Sequence, residues 1–174
     1  MKYIMVVAFD LAFDPTGEVI PGPETKIACH RAIRIARQDA SKSIIVATAG
    51  IAPSKWKNVW MAESIQKYIR SVDRDVGVLC YTALTFNTYG EMECLAKMLK
   101  MSPVQNSKTN EVVLAVKWWH APRSLFLCRH HLKKCGLGHL PVTVSSCPSF
   151  VSWKLIFKEY ALSWPKNLIR VLID

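Results

Sequence analysis

Two short polar segments carry the side chains best suited to chemistry: TFNTYGE at Thr85–Glu91 and HAPR at His120–Arg123. An imidazole moves a proton near neutral pH, a carboxyl group serves as acid or base, and a guanidinium grips a phosphate or carboxylate through two hydrogen bonds. His120 and Glu91 are therefore the candidate catalytic groups. Asn87, Thr88 and Arg123 are candidate ligand-binding groups, since a helix start offers free backbone N–H groups to an anion. Each segment also has a plain structural reading. Asn87 or Thr88 can cap a helix, with Glu91 three residues beyond Thr88 in a capping-box arrangement. In HAPR, Pro122 suits a first helical turn, but Arg123 opposes the helix macrodipole. A bound anion would relieve that conflict.

Both segments follow runs that read as buried strands and open runs that read as helices. The strand-like runs are VGVLCY (Val76–Tyr81) and EVVLAVKWW (Glu111–Trp119). Earlier, Tyr3–Phe9 is continuously apolar, as expected of a parallel strand buried on both faces, and Ser43–Gly50 makes a second such run with its exit. Helical spacing recurs from Thr25 to about Gln38, over Val59–Val72, from Thr88 to before Pro103, and from Ala121 to Cys135, where Gly136 supplies a C-cap. Leu140–Ser146 reads as a last strand, and Asp10–Gly22 and Ser102–Asn110 read as loops. This alternation predicts a single domain over 1–174 of the α/β class: a Rossmann-like three-layer α/β/α sandwich with a mostly parallel sheet of about five strands. The C-terminal segment, Pro148–Asp174, has aromatic and aliphatic residues at helical spacing and is read as a terminal helix packed on the sheet. Its alternative is an amphipathic helix for a membrane surface or partner, because Lys154, Lys158, Lys166 and Arg170 accompany Trp153, Phe157 and Trp164.

Parallel connectivity brings four strand exits to one sheet edge, where such folds bind ligands. Besides the two polar segments these carry Asp10 with Asp14, and Thr48-Ala49-Gly50. Asp10 and Asp14 suit Mg²⁺ ligation, ribose hydroxyls or acid–base work, and suit turns and caps equally. Gly50 lets a ligand approach the backbone beside Thr48, or simply turns the chain.

Composition narrows the function classes. The chain has 174 residues, 51% hydrophobic and 21% charged, with a mean hydropathy of +0.14, which fits an ordinary soluble domain. No run approaches the roughly 20 apolar residues of a membrane span, and MKYIMVVAF reads as a strand rather than a leader. Six cysteines without a CxxC pair fit a reducing cytoplasm. Cys128, His130, His131, Cys135 and His139 resemble zinc ligands superficially, but Leu125, Cys128, Leu132 and Cys135 form one apolar stripe, and no metal ligands are assigned. The net charge is +10, and between Lys97 and Arg170 twelve Lys/Arg face only Glu111 and Glu159. An anionic partner is favoured on that side. No RRM, KH, zinc-finger or helix-turn-helix signature accompanies the charge, so a specific nucleic-acid role is not expected and an anionic small molecule is.

Taken together, these segments resemble the SanA/YdcF-like (ElyC/SanA/YdcF) family. The resemblance rests on the acidic loop from Asp10 to Gly17, a helix containing Arg31, Thr48-Ala49-Gly50, Asn87-Thr88-Tyr89-Gly90-Glu91 and His120-Ala121-Pro122-Arg123, and covers about Tyr3 to Ser146. Ala8-Phe9-Asp10 stands where the family often has glycines. The resemblance implies a Rossmann-like fold and links to S-adenosylmethionine binding and to envelope or polyprenyl-carrier metabolism, without implying one reaction.

Three functions compete. The first is binding of a nucleotide-like or phosphorylated small molecule, with S-adenosylmethionine or Mg²⁺ as candidate cofactors. The second is phosphoester or pyrophosphate hydrolysis, with His120 as proton donor and Arg123 stabilising developing charge. The third is a non-enzymatic basic interaction module, in which binding tracks total charge. Oligomeric state is left open by the sequence.

Overall fold

The computed structural model describes residues 1–39, 42–50, 59–83, 87–102, 110–149 and 152–173. Thr85 and Phe86 of the first polar segment, and residues 103–109 of the expected surface loop, lie outside them. Strand β1 (Lys2–Val6) leads into a hairpin of β2 (Leu11–Phe13) and β3 (Val19–Pro21). There follow α1 (Pro23–Gln38), β4 (Ser43–Ala47), α2 (Met61–Val72), β5 (Val78–Cys80), α3 (Thr88–Met101), β6 (Glu111–Lys117), α4 (Ala121–Lys134) and β7 (Val142–Cys147). The chain continues through α5 (Trp153–Lys158), a π-helical turn at Glu159–Ser163 and α6 (Trp164–Ile173).

Five parallel strands form the main sheet in the order β5-β4-β1-β6-β7. The order reverses between β1 and β6, so the fold is a doubly wound, Rossmann-like α/β sandwich with its switch point there. The alternation of side chains along each strand builds the two layers. Ile4, Val6, Val113 and Ala115 pack with α1 and α2, while Tyr3, Met5, Val112 and Leu114 pack with α3 and α4.

Three differences from the sequence reading matter for the site. The first strand stops at Val6 rather than Phe9, because the N–H groups of Phe9 and Asp10 donate to Thr25 Oγ1 at 3.1 and 3.0 Å instead of to a neighbouring strand. The fourth strand of the sheet stops at Lys117, and Trp118–His120 turn out of it. Finally, Asp10–Gly22 is not simply a loop: Leu11–Phe13 pairs antiparallel with Val19–Pro21, each a run too short to show alternation clearly.

Candidate functional site

Helix α3 crosses the sheet from the β5 edge toward β6, which sets its first turn beside the first turn of α4. Asn87 is its cap: the side-chain oxygen accepts from Gly90 N–H at 2.9 Å, and the backbone carbonyl accepts from Glu91 N–H at 3.1 Å. With Asn87 in that role, Glu91 falls one position too late for a capping box. Its side chain turns inward and is buried, and Oε2 has no hydrogen-bond partner among the described residues. Burial pushes the carboxyl up to about 8, although the Arg123 charge opposes the shift. Near neutral pH it is largely a protonated acid, able to donate a hydrogen bond.

Thr88 Oγ1 lies 3.0 Å from His120 Nε2 and 3.3 Å from Arg123 Nη2. The other side of the imidazole faces Glu159: Nδ1 to Oε1 is 2.9 Å. Arg123 Nε approaches the same oxygen at 2.7 Å, an ion pair without hydrogen-bond alignment. Glu159 thus answers the conflict posed by a cation at the start of α4. The anion the sequence asks for is in part the chain's own.

Desolvation depresses the His120 pKa, and the contact with Glu159 only partly restores it. Arg123 Nη2 lies 3.2 Å from Nδ1 and 3.3 Å from Nε2, so the ring is flanked by a donor as well as by the Glu159 carboxylate, and a proton on Nδ1 toward Glu159 leaves the Nε2 lone pair facing Thr88. Arg123 is likewise shifted down by burial, with Glu159 and Glu91 opposing, and a guanidinium remains cationic through such a shift.

A cavity of about 260 Å³ opens over this cluster, lined by Asn87, Thr88, Glu91, His120, Arg123 and Glu159, with Phe9 and Trp119 among its apolar walls. Phe9 and Trp119 meet edge to face, and Lys117 Nζ sits 3.4 Å from the Phe9 ring centroid while pairing with Glu24 at 2.9 Å. A second cavity of about 250 Å³ shares Asn87, Thr88, Arg123 and Ser163 and adds Lys166, Asn167 and Arg170. No carboxylate is among its described lining residues.

Five candidate residues therefore converge: Asn87, Thr88, Glu91, His120 and Arg123. Asp10, Asp14, Thr48 and Gly50 are not among the residues lining either cavity. Asp10 caps α1, its carboxylate accepting from Glu24 N–H at 3.2 Å and Thr25 N–H at 2.7 Å. Asp14 closes the β2–β3 turn, with Oδ1 accepting from the N–H groups of Thr16 and Glu18. Thr48 is buried, and the Gly50 carbonyl accepts from Met61 N–H at 3.2 Å.

The residue that sequence reasoning missed is Glu159. It sits on the C-terminal segment, which lies over the site rather than on the sheet: Trp164 stacks near Phe126, Arg170 lies over the Tyr89 ring, and Tyr160 donates to the Trp119 carbonyl at 3.2 Å. Its outward side remains open, with Trp153, Phe157 and Leu172 strongly exposed. The available signal was the scarcity of acids in the basic window. Fold and site together define a Rossmann-like α/β protein with a buried His–Arg–Glu cluster at the carboxyl edge of its sheet. No family model, curated protein or solved structure matches the chain.

Proposed function

We propose that the chain binds a phosphorylated or nucleotide-like small molecule at this edge, as a cytoplasmic protein of the SanA/YdcF-like kind. The observation that carries this reading is the position of Arg123 on the wall shared by two adjoining cavities, one of which adds Lys166 and Arg170 without a lining carboxylate among the described residues. Such a surface selects anions, and phosphates supply enough oxygens for several donors at once. Glu91, protonated by burial, adds a donor from below.

Each cavity alone falls just under the range of about 300–1,000 Å³ usual for small-molecule sites. Together they suit a phosphate-bearing group with a modest organic remainder. S-adenosylmethionine offers only one carboxylate to these cations, so phosphates are the better match. All six cysteines are free thiols, in keeping with a reducing compartment. No helix among the described residues is long and apolar enough to cross a membrane.

A thermal-shift series against inorganic phosphate, sugar phosphates, nucleotides, prenyl phosphates and S-adenosylmethionine, with and without Mg²⁺, tests the reading. A ligand at 100 times its Kd stabilises by about 2.7 kcal/mol. Arg123→Gln and Asn87→Ala should remove the shift, and Arg34→Ala, on the exposed side of α1, should keep it. A shift that survives Arg123→Gln, or that follows only ionic strength, refutes the site.

A further inference from the structure

A hydroxyl, an imidazole and a carboxylate stand in sequence at the site, with Thr88 Oγ1 at 3.0 Å from His120 Nε2 and His120 Nδ1 at 2.9 Å from Glu159 Oε1. They come from three separate places in the fold: the first turn of α3, the turn after β6, and the π turn of the C-terminal segment. Nucleophile, base and orienting acid within hydrogen-bond reach are the geometric signature of an activated hydroxyl. We propose that Thr88 is the nucleophile of a phosphoryl-transfer relay, with His120 as its general base and Glu159 as the residue that positions the base.

The inference rests on the reading that the ligand carries a phosphate. Thr88 lines both cavities although the residue as a whole is buried. Arg123 Nη2, 3.3 Å from Oγ1, stands beside the position of the phosphoryl oxygens during transfer. Glu159 Oε1, 2.9 Å from Nδ1, favours the tautomer protonated on that nitrogen, whose Nε2 can accept. A simpler role for Thr88, as a helix cap, is already filled by Asn87.

The chemistry balances with water as the only co-reactant. Oγ1 attacks phosphorus as the bond to the leaving oxygen breaks, and the hydroxyl proton passes to Nε2 and then to that oxygen. Water next attacks the phosphothreonine, giving one proton to Nε2. The Oγ1–P bond breaks, phosphate leaves, and Oγ1 recovers the proton. Glu159 touches neither phosphorus nor the leaving group and acts through His120.

The full chain is incubated with p-nitrophenyl phosphate and with inorganic pyrophosphate, then acid-quenched for peptide mass spectrometry, while inorganic phosphate serves as the binding probe. The expected results are phosphate release and a phosphoryl group on Thr88. Thr88→Ser should keep both, and Thr88→Val should lose turnover by about 10³-fold or more. Glu159→Gln should slow turnover and move the acid limb of the pH–rate profile downward, because the carboxylate holds the His120 pKa up; Glu159→Asp should restore part of the rate. Phosphate binding without turnover or phosphothreonine from either probe overturns the relay and leaves the binding site standing. Turnover by Thr88→Val equal to that of the natural chain overturns it as well. Absence of phosphate binding in the folded natural chain overturns both the relay and the binding site.

Discussion

Glu91→Gln converts a buried acid into a neutral group of nearly the same shape, and its effect is a matter of pH. Burial lifts the carboxyl to about 8, whereas an unfolded chain releases that proton near 4.3. Between the two values the folded state holds a proton that the unfolded state has lost, so stability falls as pH rises. His120 and His131 act in the opposite direction, since burial lowers both and takes His131 to about 4. Below about pH 6.5 the unfolded chain takes up protons that these histidines refuse, and acid costs stability there. These histidines, like the buried thiols of Cys29 and Cys128, are common to both proteins. From about pH 6.5 to 8 the difference between the natural chain and Glu91→Gln therefore reads Glu91, and integrating the linkage over it gives a loss of about 2 kcal/mol. For a chain of this length that is a fall of roughly 4–8 °C in Tm. Lys117, also lowered by burial, contributes equally to both proteins and cancels in their difference. Scanning fluorimetry at constant ionic strength in small pH steps provides the comparison. The Glu91→Gln curve should be flatter by that amount, and superimposable curves would show that Glu91 is ionised in the fold, which removes it as a donor to an anion.

Removing one member of a buried ion pair strands the other. Glu159→Ala should therefore lower stability by about 3–5 kcal/mol in urea titrations, and a loss under about 1 kcal/mol would mean that Arg123 and His120 find equivalent partners without it. At the other end of the chain, a methyl group on Gly22 runs into the carboxyl group of Asp10. Gly22→Ala should displace that carboxylate from the start of α1 and cost at least the usual worth of a cap, about 1 kcal/mol; an unchanged denaturation midpoint contradicts the packing.

The doubly wound sheet was legible because its strands are buried on both faces. Tyr3–Val6, Ile44–Ala47 and Val112–Val116 read as apolar runs, and the helices between them show a separate period. The meeting of Thr88 with His120 was legible for the same reason, since parallel connectivity sends both strand exits to one edge. Arg123 was the most informative single residue, as a cation against a helix dipole demands an anion. What local patterns do not encode is which anion meets it. Glu159 lies beyond the last strand, on a segment whose periodicity describes its own faces and not the surface it covers. Asp10 and Asp14 sat in the right place in sequence, but the α1 start and the β2–β3 turn compete for their oxygens, and short-range backbone N–H groups are the nearer partners. The hairpin itself was hidden because three-residue strands give too few positions for alternation to emerge.

The π turn at Glu159–Ser163 makes the C-terminal segment sensitive to length in a way that exposed helices ordinarily are not. Each residue of an α-helix advances the chain by about 100° around its axis, and a π turn inserts one residue beyond the α-helical count. Glu159, the first residue of the turn, reaches His120, and Arg170 after it reaches the Tyr89 ring, with Val171 against the core formed with α3 and α4. Their shared inward aim is an angular phase set by that inserted residue. Deleting one residue among Tyr160–Ser163 would leave Glu159 in place and swing Arg170 and Val171 about a quarter turn away.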